Sequence, residues 1–497
     1  MGPMPPSPTT ADRGRAAILI SATHSGAGKT TVTGVVMAAL RRRGLIVQPF
    51  KIGPDFIDAA HHAEVCDRPS INLDTWLQGE DGVRRSFERW SSDADIAVIE
   101  AMGGLFDGVD GTGRGSPAEL AKLLGVPVVV VLDVWGMTRT AAPILRGLRD
   151  FDPELRIAGC VLNRVGSPGH AAMVVDSLPE DVRGLVVGSI AASEDLAIPE
   201  RHLGIVTVQE LGASASARAE ARERAASDLD LDRIVELAAT TEHERAAASD
   251  ESPAGSPAPA STRLLEPAGP TSDAPHPPPP AERLRMAIAQ DEAFHFYYEE
   301  NLDLLRRAGF DLVPFRPTAD ASLPPDVDIV YLGGGYPESF AVELAANESL
   351  AAELRQRATS GLPIFAECGG FIYLGRSLTG FDGDTHVMAG VLPLDFTMDR
   401  EHLSIAYVTA TTTADSPLGP TGTTVRGQEF HQSRIVASPT DPTEPDLYEL
   451  TRSDDRRSRS GLARPNIAAS YVHLHLASNP TVATNLASAA RASRSIR

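Results

Sequence analysis

Two stretches of the sequence carry residue types at spacings that could do chemistry. The first is Ser21–Thr31, SATHSGAGKTT. Gly26 and Gly28 allow backbone N–H groups to close around a polyphosphate, and a helix N-terminus behind them adds a favourable dipole. Lys29 would place a compact positive charge on the outer phosphates, and the Thr30 hydroxyl can ligate Mg²⁺, with Ser25 and Thr31 flanking the pair. The expected ligand is ATP with Mg²⁺. KIGPDFID offers Lys51, Asp55 and Asp58 on a turn made by Gly53 and Pro54. Glu100 ends the run IAVIE, where an acid can bind Mg²⁺ directly or through water. Taken singly, Asp55 or Asp58 reads equally well as a helix N-cap, and Asp107 in GGLFDG as a turn former.

The second stretch is Leu362–Gly370, LPIFAECGG. A short apolar strand running into Cys368, then two glycines and a helix, has the form of a nucleophile elbow. The expectation is a thiol exposed at a helix N-terminus, with a lowered pKa. A thiol nucleophile needs a base, and SYVHLHLASNP supplies His473 and His475, two apart and so on one side of a strand. A structural role or a metal pair are the other readings of two such histidines. Gly333–Gly335, after VDIVYL, offer backbone N–H groups for an oxyanion hole, with Gly334 and Gly335 as its expected donors. RGQEFHQS, Arg426–Ser433, is polar between apolar stretches, and its role is not legible from spacing.

These residues need elements to position them. In the first half, β-branched runs alternate with helical stretches: AAILI, LIVQPFKI, IAVIEAM, VPVVVVLDV, IAGCVLNRV and LVVGSI. The alternation predicts an α/β fold, a parallel sheet with helices on both faces. Ligands of such sheets sit at the carboxyl ends of strands, where Lys51, Asp55, Glu100 and Asp133 fall. A second α/β unit begins at LRMAIA, with a helix predicted over Phe296–Ala308 and a strand over Phe310–Phe315. Between the two, residues 240–282 are rich in Ala, Ser, Pro and Gly, cannot bury a core and read as a disordered linker. The expected organisation is a disordered arm over 1–15, a nucleotide-binding unit over 16–239 and, after the linker, the second unit over 283–480. A C-terminal helix with a basic, fraying end is expected over 481–497.

A chain of 497 residues leaves room for two or three domains. The formal net charge of −21 argues against nonspecific nucleic-acid or membrane binding, yet allows an anionic small substrate in a local basic pocket. Cys66, Cys160 and Cys368 form no CxxC pair, so neither a disulfide framework nor zinc spacing is present, which fits a reducing compartment. The N-terminus lacks the apolar stretch of a secretory signal, and the longest apolar run, Val126–Val134, falls far short of a membrane span. A soluble, cytoplasmic protein is expected.

The phosphate loop departs from the common G-x-x-x-x-G-K-[ST] pattern, because Thr23 holds the first glycine position. With His24 where partition-type ATPases carry an extra lysine, it resembles the loop of dethiobiotin-synthetase-like ATPases. SGAGKTT, FKIGPDFID, RPSINLDTW, VIEAMGGLFDG, DEAFHFYYEENL, YLGGGYPE, AECGG, RGQEFH and YVHLHLASNP, in this order, resemble the cobyrinate a,c-diamide synthases. These are glutamine-dependent amidotransferases of cobalamin biosynthesis, and the resemblance covers nearly all the chain outside the arm, linker and tail. It implies a dethiobiotin-synthetase-like P-loop amide synthetase domain followed by a class I glutaminase domain of the triad type. The implied ligands are ATP, Mg²⁺, L-glutamine and a corrinoid or other tetrapyrrole acid: cobyrinate, hydrogenobyrinate or Ni-sirohydrochlorin. The ATPase type is compatible with a homodimer.

By position, the resemblance implies Cys368 as nucleophile and His473 as the residue that activates it, with His475 the less favoured of the two. Thr30, Asp55 and Glu100 would form the metal set, and Lys51, Asp58 and Asp107 would face substrate. There are two departures. The family commonly reads E-G-V-M-G-L at the acid strand, whereas Ala101, Met102 and Gly103 follow Glu100 here, and His473 lacks the Pro-Glu that follows the histidine of the ordinary triad. A reading of a different class, a non-catalytic ATP switch with a degenerate second domain, is opposed by the intact Cys368, His473 and Gly333–Gly335.

Overall fold

The β-branched runs of the first half pair edge to edge into a seven-stranded parallel sheet. The computed structural model describes residues 16–198, 215–239, 283–437 and 445–496; the expected arm over 1–15 and linker over 240–282 lie outside them. The strands are β1 (Ala16–Ala22), β2 (Val47–Ile52), β3 (Ile71–Leu73), β4 (Ile96–Glu100), β5 (Val128–Asp133), β6 (Ile157–Val165) and β7 (Val186–Ala191). Their order is β3-β2-β4-β1-β5-β6-β7. The edge strand β3 was not expected from the sequence, because three residues are too few to display a period.

Strands buried on both faces read as continuous apolar runs. Ile18 and Ile20 pack with Val32, Val35 and Val36 of helix α1 (Lys29–Arg42), while Ala17 and Leu19 pack with Phe50, Ile52 and Phe87 on the opposite face. Because β1 lies between β4 and β5, its carboxyl-end loop meets the end of β4 on one side and of β5 on the other.

The chain divides into two units, Met1–Ser261 and Thr262–Arg497. The second holds a six-stranded sheet in the order Phe310–Phe315, Leu284–Ala289, Ile329–Leu332, Ile364–Glu367, Ile467–Ser470, Leu462–Arg464. All its pairs are parallel except the last. A five-stranded antiparallel sheet stands beside it and ends with Thr424–His431 paired to Val472–Leu474. The chain passes from one sheet to the other at Tyr471, between Ser470 and Val472.

One expectation is corrected here. The helix predicted over Phe296–Ala308 runs from Glu299 to Arg307, because Phe294–Phe296 is a strand paired with Gly334–Gly335. The expected C-terminal helix runs over Thr481–Ile496. Arg494 Nε donates to Asp328 Oδ1 at 2.9 Å and Arg494 Nη2 to the Arg283 carbonyl at 3.0 Å. Asp328, buried at 2% exposure, also accepts the Arg285 N–H at 2.8 Å. Among the described residues no helix is long and apolar enough to cross a membrane.

Replacing Asp328 by Ala removes the acceptor of the Arg285 N–H and of the half-exposed Arg494 guanidinium. The expected loss is about 2 kcal/mol in urea unfolding, against about 0.5 kcal/mol or less for Arg491→Ala at an exposed position of the same helix.

Candidate active sites

The phosphate loop is built by backbone geometry. Gly28 caps α1 at φ 90°, ψ 25°, where a side chain is strained, and a Cβ on it would stand 2.2 Å from Asn163 Nδ2. That asparagine, at the end of β6, donates to the Ala27 carbonyl at 2.9 Å. Its neighbour Arg164 donates to the Gly26 carbonyl at 2.9 Å and to Asp133 Oδ2 at 2.8 Å. Sequence reasoning did not single out these two braces. They lie far from the loop in sequence, and only the strand order brings them to it. Ser25 and Gly26 are exposed at the crest, while Thr30 and Thr31 sit half-buried in the first turn of α1. Lys29 Nζ donates to the His24 carbonyl at 3.0 Å. Burial, and then the nearby Lys51 ammonium, hold the Lys29 pKa below its usual value.

Glu100 is the hub of the acids. Fully buried at the end of β4, it accepts from Thr30 Oγ1 at 3.0 Å and from Lys51 Nζ at 2.8 Å through Oε1, and His62 Nε2 lies 2.6 Å from its Oε2. Lys51 also donates to Asp58 Oδ2 at 2.5 Å and to the Ala101 carbonyl at 3.2 Å. Burial opposes charge on both groups, yet Lys51 and then His62 hold Glu100 well below the usual carboxyl range. Asp58 and then Glu100 hold the Lys51 ammonium above its own. Burial, and then the Asp55 charge, push Asp58 up.

The structure thus brings Thr30, Lys51, Asp58 and Glu100 into one contact network. Asp55 adjoins it in another role: its Oδ1 accepts the Ile57 and Asp58 N–H groups at 2.7 and 3.0 Å, capping helix α2 (Ile57–Cys66). Asn72 ties down the same turn through the Gly53 and Asp55 carbonyls, at 2.8 and 2.9 Å. Asp107 is exposed and accepts the Gly104 N–H at 3.2 Å within its own turn. Among the described residues no group of three His, Cys, Asp or Glu side chains could hold a metal unaided. A hydroxyl and one carboxylate, Thr30 and Glu100, do fit Mg²⁺, which retains waters and takes phosphate oxygens as its other ligands.

In the second unit, Cys368 closes the strand Ile364–Glu367 and caps the helix Gly369–Tyr373 at φ 45°, ψ −103°. A non-glycine residue held there is strained, and close backbone contacts over-determine it. Cys368 N donates to the Ser470 carbonyl at 2.8 Å, and a Cβ on Gly370 would stand 2.3 Å from the Leu332 carbonyl oxygen. Gly334–Gly335 adjoins both the Cys368 helix and His473. A Cβ on Gly334 would lie 2.2 Å from His473 Cε1, and one on Gly369 would lie 3.0 Å from Gly335 N. Gly333 N–H is engaged by the Tyr297 hydroxyl at 2.9 Å.

RGQEFHQS gains a place that its spacing did not reveal. The Phe430 carbonyl accepts from Cys368 Sγ at 3.8 Å, and the His431 ring stacks 3.7 Å from that of Tyr471. The two histidines part company: His473 abuts Gly334, whereas His475 packs on Tyr298 with ring centroids 4.8 Å apart. Both ring nitrogens of His475 are buried, with no hydrogen-bond partner among the described residues.

The expectation of an exposed, acidified thiol is overturned. Cys368 is buried, and burial, then the carboxylate of Glu338, push it up to about 12. Burial, and then His431, bring His473 down to about 3. Burial therefore favours the neutral form of both side chains. Burial also lowers His475 to about 3 and His431 to about 4. Histidines neutral in the fold and titrating at about 6.5 when unfolded contribute stability that is present above that pH and lost as pH falls towards their folded values. The second unit should therefore lose thermal stability progressively below pH ~6.5. His475→Phe, which keeps a ring against Tyr298, should flatten that fall, read as melting temperature against pH.

Comparison with known proteins agrees with this division of labour. Residues 18–205 match the CobQ/CobB/MinD/ParA nucleotide binding domain, and residues 285–481 the CobB/CobQ-like glutamine amidotransferase domain. The chain is 38% identical to the cobyrinate a,c-diamide synthase of Syntrophotalea carbinolica, over 94% of this chain and 96% of that one. It is 37% identical to the protein of that name from Leptospira interrogans, over 94% and 96% of the two chains. Identity to the one from Listeria innocua is also 37%, over 94% and 97%. With a nucleotide-binding unit and a thiol unit in one chain, and relatives matched along nearly their full length, the protein belongs to the cobyrinate a,c-diamide synthase family of glutamine-dependent amide ligases.

Proposed function

We propose that the protein amidates the a- and c-acetate carboxylates of cobyrinate, or of its metal-free counterpart hydrogenobyrinate, with ammonia released from glutamine at the expense of ATP. The observation that carries the reading is the strained Cys368 turn, with His473 packed against the same glycine turn that abuts it, in a chain that also holds a braced phosphate loop. The reaction takes place in the cytoplasm.

In the thiol unit, Cys368 Sγ attacks the side-chain carbonyl of glutamine while His473, neutral at rest, takes the thiol proton. The oxyanion faces the Gly334–Gly335 turn, the C–N bond breaks as His473 returns the proton, and ammonia leaves a thioester that water hydrolyses to glutamate. In the nucleotide unit, a substrate carboxylate oxygen attacks the γ-phosphorus of ATP and ADP departs. Ammonia then attacks the acyl phosphate carbon, and phosphate leaves as the amide forms. Gly26, Gly28 and Lys29 hold the phosphates, and Lys51 with Asp58 fixes Glu100. Thr30 and Glu100 would hold Mg²⁺, which neutralises charge on the phosphate oxygens.

Two steps in two places imply separable losses. Cys368→Ser should abolish glutamine-driven amidation and leave ammonium-driven amidation near wild type; loss of both would contradict the assignment. Gly28→Ala should impair both equally, because it moves the nucleotide loop off Asn163. Mass spectrometry of product from cobyrinate, hydrogenobyrinate and Ni-sirohydrochlorin, each with Mg-ATP and glutamine, identifies the acceptor. No amide on any of them, with glutamine still hydrolysed, would remove the corrinoid reading and keep the glutaminase.

A further inference from the structure

The strand that carries His473 is short and supported on one edge. Val472–Leu474 pairs with Thr424–His431 and ends the five-stranded sheet, so backbone groups on its other edge need partners that are not strand. A side chain supplies one. Leu474 N–H donates to Glu367 Oε1 at 2.8 Å, and Glu367 Oε2 accepts from the Tyr331 hydroxyl at 2.7 Å. Glu367, at 2% exposure, is the residue directly before Cys368, and Leu474 is the residue directly after His473. The Leu474 carbonyl is held in turn by Asn301 Nδ2 at 2.7 Å, and Asn301 Oδ1 accepts the Leu476 N–H at 2.7 Å. The Tyr331 ring meets that of Tyr297 edge-on at 5.0 Å, and the Tyr297 hydroxyl engages Gly333 N–H. One buried carboxyl therefore joins the nucleophile's strand to the base's strand, beside aromatics that hold the glycine turn.

We propose that Glu367 is a positioning residue of the thiol site, which fixes the strand of His473 to the turn of Cys368 by accepting the Leu474 N–H. This orients the imidazole through its backbone, in a chain that lacks the acid following the histidine of the ordinary triad. Burial pushes the Glu367 carboxyl up to about 8, so at neutral pH it serves mainly as a neutral acceptor, and a glutamine can take its place. The inference rests on the reading of Cys368 and His473 as a glutaminase pair.

The test compares Glu367→Gln, which keeps an acceptor for Leu474 N–H, with Glu367→Leu, which keeps the bulk and removes it. Glutamate release from glutamine and ammonium-driven amidation are measured on the full chain. The expected result for Glu367→Leu is a fall of about 100-fold in kcat for glutamine, the scale of a misplaced catalytic group. KM for glutamine and the ammonium-driven rate should be unchanged, and Glu367→Gln should stay within about fivefold of wild type. Wild-type kcat in Glu367→Leu, or a loss in Glu367→Gln as large as in Glu367→Leu, would overturn the proposal. Should Glu367→Leu fail to fold, Glu367→Gln decides alone: a kcat within about fivefold supports the role, and a fall of about 100-fold overturns it. Wild-type protein that does not release glutamate in a Cys368-dependent way would remove the glutaminase reading itself, and this inference with it.

Discussion

Both candidate sites depend on one local constraint, a parallel strand that becomes a helix through a residue forced to positive φ. At the nucleotide loop that residue is Gly28, at φ 90°, and in the second unit it is Cys368, at φ 45°. The geometry has a common purpose. It turns the chain sharply enough for a helix N-terminus to stand at the carboxyl edge of a sheet. At Gly28 the absence of a side chain relieves the strain. At Cys368 a side chain is present, so neighbours absorb the cost: Gly370 approaches Leu332 too closely for any Cβ, Gly369 stands tight against Gly335, and Cys368 N is tied to Ser470.

From these two turns outward, the rest of each unit acts as a brace. Asn163 and Arg164 reach the phosphate loop from β6, and Lys51 and His62 surround the charge that Glu100 brings from β4. A fully buried carboxylate without those partners would shed its charge. With them it stays ionised. The thiol unit makes the opposite electrostatic choice. Burial first, and then the nearby carboxylates, raise the Cys368 thiol, and burial lowers the His473 imidazole, so the fold favours the neutral form of both.

What the sequence made legible follows from this. Local signals were enough for the phosphate loop, the acid at the end of β4, the Cys368 turn and most strands of the first sheet. Each is a run of adjacent residues whose period or glycine content has a direct geometric meaning. Long-range braces were not legible. Asn163, Arg164, Glu367 and Asn301 act on backbone groups far away in sequence, and nothing in their spacing marks them. Asp55 shows the ambiguity of a single acid, for its Oδ1 caps α2 beside the network that its position suggested it would join. The thiol pKa was misjudged because a helix N-terminus is visible in a sequence, whereas the burial and carboxylates around the sulfur are properties of the folded unit.

The central claim is that ammonia made at one turn is captured by a carboxylate activated at the other. The most direct measurement supplies glutamine labelled with nitrogen-15 at the amide, together with Mg-ATP and cobyrinate. It follows label in the corrinoid and ADP formed. The account predicts label in both new amides and one ADP for each amide. Glutamate and ADP accumulating without label in the corrinoid would contradict it.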